Sequence, residues 1–191
     1  MNFLSARGAR SLRTGRGLAS VRLGYHRAPP WPLLAAFNPM PPSTPSYLLR
    51  RGRREDAVEL ARLFTLLGHP TSADLVDRRW PAWSDAGNHA FVAVGSGQKL
   101  LGVATLHRTE LLHRPRPVGR ITALVVDPAW RGRGIGKALV GVSENELRDA
   151  GCGLMEVTSN LKLADAHAFY ERLGYVRTSL RFAKELDGVA G

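Results

Sequence analysis

A single cysteine, Cys152, stands in 191 residues. That excludes an internal disulfide and a cysteine-cluster metal site, and no metal is expected. At an expected strand start it reads as a small buried hydrophobe rather than a nucleophile. No apolar run reaches membrane-spanning length; the longest candidate, Trp31 to Phe37, is far too short. Acidic residues are absent from residues 1–46, which carry six arginines, at 7, 10, 13, 16, 22 and 27. The remainder carries 21 basic and 16 acidic side chains, so most of the formal charge of +11 lies outside the main body of the chain. Basic residues interleaved with aromatics along one face are also missing, which argues against a nucleic-acid partner. What remains is 44% hydrophobic, the composition of an ordinary globular chain with one domain's worth of core.

Residues 1–46 hold Pro29, Pro30, Pro32, Pro39, Pro41, Pro42 and Pro45. These forbid a continuous helix or sheet through the second half of the segment. Three readings stay open: an Arg-rich, acid-poor transit peptide, a basic disordered arm, or a start codon placed upstream of a true start at Met40. The expected location is the cytoplasm, or the mitochondrial matrix under the first reading.

From residue 47 the periodicities predict a mixed α/β order. Tyr47 to Arg51 reads as a strand, and a helix runs to about Leu67 with Ala57, Leu60, Ala61 and Phe64 at helical spacing. Ser72 is placed to cap a second helix through Trp83. His89 to Val94 and Leu100 to Leu112 form a hairpin about Gly95-Ser96-Gly97. Val118 to Asp127 is a strand, and Gly134 to Ala150 a helix with Ile135, Leu139, Val142 and Leu147 on one face. Leu154 to Thr158 is a strand, Ala164 to Leu173 a helix, and Tyr175 to Leu186 one or two closing strands. Residues 187–191 read as a frayed tail.

The most informative stretch is ITALVVDPAWRGRGIGK, residues 121–137. An apolar strand stops at Asp127-Pro128. Glycines follow at 132, 134 and 136, alternating with Arg131, Arg133 and Ile135, and a helix begins at once. Strand, glycine-rich turn and helix N-terminus make an anion site for a pyrophosphate. A P-loop would need glycine where Arg131 stands and Ser or Thr where Ala138 stands. A dinucleotide fingerprint would need glycine where Lys137 or Leu139 stands. What fits is R-x-x-G-x-G, Arg131 to Gly136, after a strand ending Leu124-Val125-Val126.

This pattern resembles the acyl-CoA loop of the GNAT superfamily of N-acyltransferases, and the element order matches that fold from about residue 47 to 186. The resemblance implies a single α/β domain whose mixed, twisted sheet has a splayed parallel pair forming an acetyl-CoA cleft. It implies a cofactor site of Leu124, Val125, Val126, Arg131, Gly132, Arg133, Gly134, Ile135, Gly136, Lys137 and Asn160, with acetyl-CoA as cosubstrate. A small-molecule amine is the expected acceptor, no membrane or nucleic acid is involved, and pairing of two copies is left open. A protein or peptide acetyltransferase and a non-catalytic acyl-CoA-binding regulatory domain are the alternatives.

A second constellation, TSNLKLADAHAFYERLGY at 158–175, carries the helix pattern A-x-x-F-Y-x-x-x-G-[FY] of the same superfamily. The resemblance makes Tyr170 the general acid for the departing thiolate; a phenol is protonated at neutral pH. Phe169 reads as a core aromatic. The closing ADAHAFYERLGY and RFAKEL look closest to aminoalkylphosphonate N-acetyltransferases within the superfamily. One departure matters: Ala123 stands where many members carry a glutamate base. His107, on a strand flanking the cleft, is the replacement candidate, with His113 behind it and Glu110 as a further contact for a cationic acceptor. His89 and His167 read as structural.

Overall fold

The computed structural model describes residues 47–186. Residues 1–46 and 187–191, with the readings made of them above, lie outside the described residues.

The order is β1 (Leu48–Arg51), α1 (Ala57–Leu66), α2 (Ala73–Asp85), β2 (His89–Val94), β3 (Leu100–Thr109), β4 (Val118–Val126), α3 (Ile135–Asp149), β5 (Leu154–Val157) and α4 (Ala164–Arg172), with short 3₁₀ turns between. The strands lie in one sheet in sequence order. β1 to β4 are antiparallel, and β5 joins β4 in parallel. The mixed α/β sheet with one parallel pair is thus as expected.

Both sheet faces are covered. On one, Leu60 and Leu63 of α1 pack on Val92, Val103 and Val125, with Val76, Trp80 and Trp83 of α2 against them. On the other, Ile135 and Leu139 of α3 pack on Ala93, Leu101 and Ala104, while Val140 and Leu147 meet Leu106 and Ile121. The buried stripe of α3 runs through Val140 and Ser143 rather than Val142. Burial of each such aliphatic side chain stabilises by about 1.5–3 kcal/mol. Glycine lets α3 settle on the strand: a Cβ at Gly119 would stand 2.5 Å from Leu147 Cδ1.

Ser72 caps α2, its Oγ accepting from the Leu75 N–H at 3.2 Å. The helix then runs through Pro81 to Asp85, beyond the expected end at Trp83. β3 ends at Thr109 rather than Leu112. The closing strands expected over Tyr175 to Leu186 are absent: the segment carries no ladder, and Val176 and Phe182 are exposed. Its apolar alternation marks residues suited to a pleated surface, but a strand also needs a partner edge.

Candidate active site

β4 parts company with β5 halfway along. The parallel pairing ends at Ile121 opposite Val157, whereas β4 continues to Val126. At the parting point β4 carries a bulge, since Thr105 faces Ala123 while Leu106 faces Ile121, leaving Thr122 as the extra residue. The Thr122 and Thr105 hydroxyls meet there at 2.7 Å.

Antiparallel alternation decides which β4 backbone groups face the gap. Asp127 N–H donates to Leu101 O at 2.8 Å, so Leu101 and Asp127 are a hydrogen-bonded pair. By alternation Val103 and Val125 are another, while Leu124 and Val126 turn their N–H and C=O away from β3, into the gap. Of the three expected residues, Leu124 and Val126 therefore present their backbone to the cleft. Val125 is committed to β3, with its side chain buried at 4% exposure. This corrects its expected pairing with a ligand.

The glycine turn follows. Gly132 and Gly134 sit at φ +75° and +79°, a region where a Cβ is strained. Gly134 is the N-cap of α3 and supplies no capping side chain, and the first helical bond runs from Ala138 N–H to Gly134 O. The N–H groups of Ile135, Gly136 and Lys137 thus have no intrahelical partner and stand at the positive end of the helix dipole. Arg131, Arg133 and Lys137 are exposed around them. Arg133 stacks on Trp130, its Cζ 4.6 Å from the ring centroid, and Arg131 Nε donates to Val126 O at 3.2 Å. The turn is held from behind by Asp127, which accepts from Ala129 N–H at 3.1 Å and Arg62 Nη1 at 2.8 Å. Burial works to raise this carboxyl, but those donors outweigh it and hold it below its ordinary value.

α4 brings Tyr170 to the same side. Phe169 lies against the first turn of α3, where a Cβ at Gly136 would touch its ring at 3.4 Å. Tyr170 packs edge-on between Phe169 and Tyr175, with centroids at 5.1 and 5.6 Å. Burial pushes its phenol up to about 12. Tyr175 is pushed up by burial and by the Glu144 carboxylate it donates to at 3.0 Å. Asn160 stands before α4, its Oδ1 accepting from Lys162 N–H at 2.9 Å, so its amide nitrogen is the donor it still offers a ligand.

His107 lies on the opposite face, beside the bulge and across from Arg120. Nδ1 is 3.0 Å from Asn88 Oδ1, and Nε2 is 2.5 Å from Thr109 Oγ1. Arg120 is ion-paired with Glu156 of β5. Asn88, Thr109 and the bulge threonines were not picked out from the sequence. Thr109 follows His107 by two residues, so strand alternation alone puts it on the same face. Asn88 follows from the hairpin register, which sets His89 opposite Leu106 and hence residue 88 opposite 107. Glu110 is exposed and paired with Arg108, and His113 lies on an exposed turn. His89 contacts Arg51 Nη1 at 3.0 Å, and His167 contacts the Asn160 carbonyl at 2.9 Å. Cys152 is buried. Among the described residues no helix is long and apolar enough to cross a membrane, and no His, Cys, Asp and Glu cluster is suited to a metal.

The sequence model of the acetyltransferase (GNAT) family matches residues 54–175. An aminoalkylphosphonate N-acetyltransferase of Salmonella typhimurium is 40% identical over 102 residues, 53% of this chain and 66% of that one. A mycothiol acetyltransferase of Salinispora arenicola is 35% identical over 175 residues, 84% of this chain and 56% of that one. The chain therefore spans less than two thirds of the length of either relative. Among solved structures, an acetyltransferase of Trypanosoma brucei superposes with a TM-score of 0.65 at 28% identity, over 73% of this chain and 99% of that one. The glucosamine-6-phosphate N-acetyltransferase of Arabidopsis thaliana shares the fold, with a TM-score of 0.66 at 20% identity over 74% of this chain and 99% of that one.

Proposed function

The chain belongs to the acetyltransferase (GNAT) family, an acyltransferase fold, and from that premise we propose that it moves an acetyl group from acetyl-CoA to the primary amine of a small molecule. The observation that carries this reading is the uncapped N-terminus of α3 beside the unpaired edge of β4. The N–H groups of residues 135–137 suit a pyrophosphate, and the exposed arginines and lysine around them suit its charge. The free edge at Leu124 and Val126 suits the amide groups of a pantetheine arm, which pairs as a short strand would. Asn160 Nδ2 adds a donor for the same arm.

The reaction proceeds by direct attack. The acceptor loses its proton towards His107, and its nitrogen lone pair adds to the thioester carbon. Negative charge develops on the thioester oxygen, and Val126 N–H faces it, Val126 O being held by Arg131. As the tetrahedral species collapses the C–S bond breaks, and Tyr170 gives its proton to the sulfur. Burial serves this role by keeping the phenol protonated across the physiological range. No covalent enzyme intermediate forms, so Cys152 is spared.

A small-molecule acceptor is supported by relatives named for aminoalkylphosphonate, mycothiol and aminoglycoside acetyl transfer. The test is thiol release from acetyl-CoA by the full chain, screened against aminophosphonates, amino sugars, polyamines and lysine peptides. Turnover of a small amine with one-to-one thiol release is expected. Turnover of peptides alone would move the reading to a protein acetyltransferase. Acetyl-CoA binding with no turnover of any amine would move it to a regulatory acyl-CoA domain.

A further inference from the structure

Both ring nitrogens of His107 are engaged, and one fixed point determines the direction of each bond. Trp83 O, in the last turn of α2, only accepts, and Asn88 Nδ2 donates to it at 2.8 Å. This orients the Asn88 amide with Oδ1 towards the imidazole, 3.0 Å from Nδ1. An amide oxygen only accepts, so Nδ1 carries the hydrogen. The lone pair of the neutral ring is then on Nε2, and the Thr109 hydroxyl, 2.5 Å away, donates into it. Turning the ring over would set carbons against both partners.

Resting on the reading of His107 as the base, we propose that Asn88 is a positioning residue that holds His107 in its Nδ1–H tautomer, and that the Thr109 hydroxyl passes the acceptor's proton to Nε2. An N–H bond of the acceptor ammonium breaks, and its proton goes to a lone pair on Thr109 Oγ1. The original Thr109 O–H bond breaks, and that proton goes to Nε2. The acceptor is left a neutral amine, Thr109 a neutral alcohol and His107 an imidazolium, still donating from Nδ1 to Asn88. The amide directs the ring without adding charge, where an aspartate would stabilise the imidazolium and hold its proton back. Arg120 of β4, opposite His107, is paired with Glu156 of β5, and α2, whose last turn meets Asn88, carries Asp74, Asp77, Arg78, Arg79 and Asp85, of which Asp77 is paired with Arg54. Sequence neighbours Arg108 and Glu110 alternate to the other face of β3 or beyond its end, paired together. This arrangement supplies a route for the proton where Ala123 supplies none.

Nitrogen-15 NMR of the imidazoles in the full chain reads the tautomer without any acceptor. The wild type is expected as Nδ1–H at His107, with the Nε2–H form appearing in Asn88→Ala. A wild-type ring in the Nε2–H form would overturn the proposal. With acetyl-CoA and 2-aminoethylphosphonate, Thr109→Val is expected to lower kcat about tenfold or more, with KM for acetyl-CoA unchanged, and Thr109→Ser to restore it. Asn88→Asp is expected to raise the apparent pKa of the acidic limb of kcat/KM by about one unit. An unaffected limb in that variant would overturn the positioning role. If His107→Gln is unimpaired, the base reading falls and the relay with it. If His107→Gln is impaired while Thr109→Val matches the wild type, the relay falls alone. Asn88→Ala also uncaps the Trp83 carbonyl; should it fail to fold, the wild-type tautomer and the Thr109 variants still decide.

Discussion

The two faces of the sheet make their halves of the candidate site from different materials. On the α3 face the groups offered to a ligand are backbone: three uncapped N–H groups and the free edge of β4. On the α1/α2 face they are side chains, with His107 held between Asn88 and Thr109. Backbone groups are positioned by dihedral angles, and a left-handed dihedral demands glycine. Side chains are positioned by partners that need not be near in sequence, Asn88 lying 19 residues from His107 and Thr109 two. One half therefore tolerates almost no change at its glycines, while the other tolerates any change that preserves its hydrogen bonds.

Gly134→Asp is the harshest test of that contrast. It forces a Cβ into φ +79° and sets a carboxylate beside the expected pyrophosphate. Like charges about 4 Å apart at an effective dielectric constant of 20 repel by about 4 kcal/mol, so acetyl-CoA affinity is expected to fall about 10³-fold. Calorimetry on a folded variant checks it, and unchanged affinity would remove the backbone half of the comparison.

Tyr170→Phe keeps the ring and removes one hydroxyl. A fall in kcat of about 10²–10⁴-fold is expected, with KM for acetyl-CoA little changed. Because burial pushes the phenol up to about 12, wild-type kcat should show no alkaline limb from Tyr170 near pH 10. The raised value also bears on stability: the Tyr170 contribution is intact below pH 10 and is lost as pH rises from there towards 12. Full kcat in the variant, with chemistry rate-limiting, would make Tyr170 a packing residue.

His107→Gln sharpens the other half. A smaller loss in kcat, about 10–100-fold, is expected together with disappearance of the acidic limb, since a general base can be replaced in part by water. A loss as large as that of Gly134→Asp in cofactor affinity would erase the division of labour between the faces.

The mildest effect belongs to Asp127, which ties α1 to the turn before α3 through Arg62 and Ala129. Its carboxyl is held below its ordinary 3.8, so its contribution is present in full above that value and is lost as pH falls from there through the lower native-state value. Asp127→Asn is expected to cost about 1 kcal/mol at pH 7, a drop of a few degrees in Tm. The gap to the wild type should narrow progressively in melting curves as pH falls below about 4. A gap that stays constant as pH falls there would mean the residue acts through packing rather than charge.

How much the sequence revealed follows the same division. Gly132 and Gly134 after an apolar run mark the turn and the start of α3, because the left-handed conformation leaves the residue type little choice. Strands such as His89–Val94 are legible from composition, and Ser72 from its capping chemistry. Leu124 and Val126 could be separated from Val125 only by knowing the register of β4 on β3. Asn88 left no local mark, since its role depends on a residue 19 positions away and on the end of a helix. The segment after Tyr175 misled in the opposite direction: its alternation is that of a strand, but β-propensity does not create a partner.

The bond from Arg131 Nε to Val126 O has a consequence for solubility. A cleft made by letting two strands diverge leaves an unpaired sheet edge in the middle of the molecule, a template on which any passing strand can grow. Here the exposed run is only as long as Leu124 to Val126, and its terminal acceptor is held by a cationic side chain. A neighbouring chain that tried to extend the sheet would have to displace a guanidinium and then stop after two rungs. The same arginine that stands by the proposed anion site thereby guards the molecule against its own geometry.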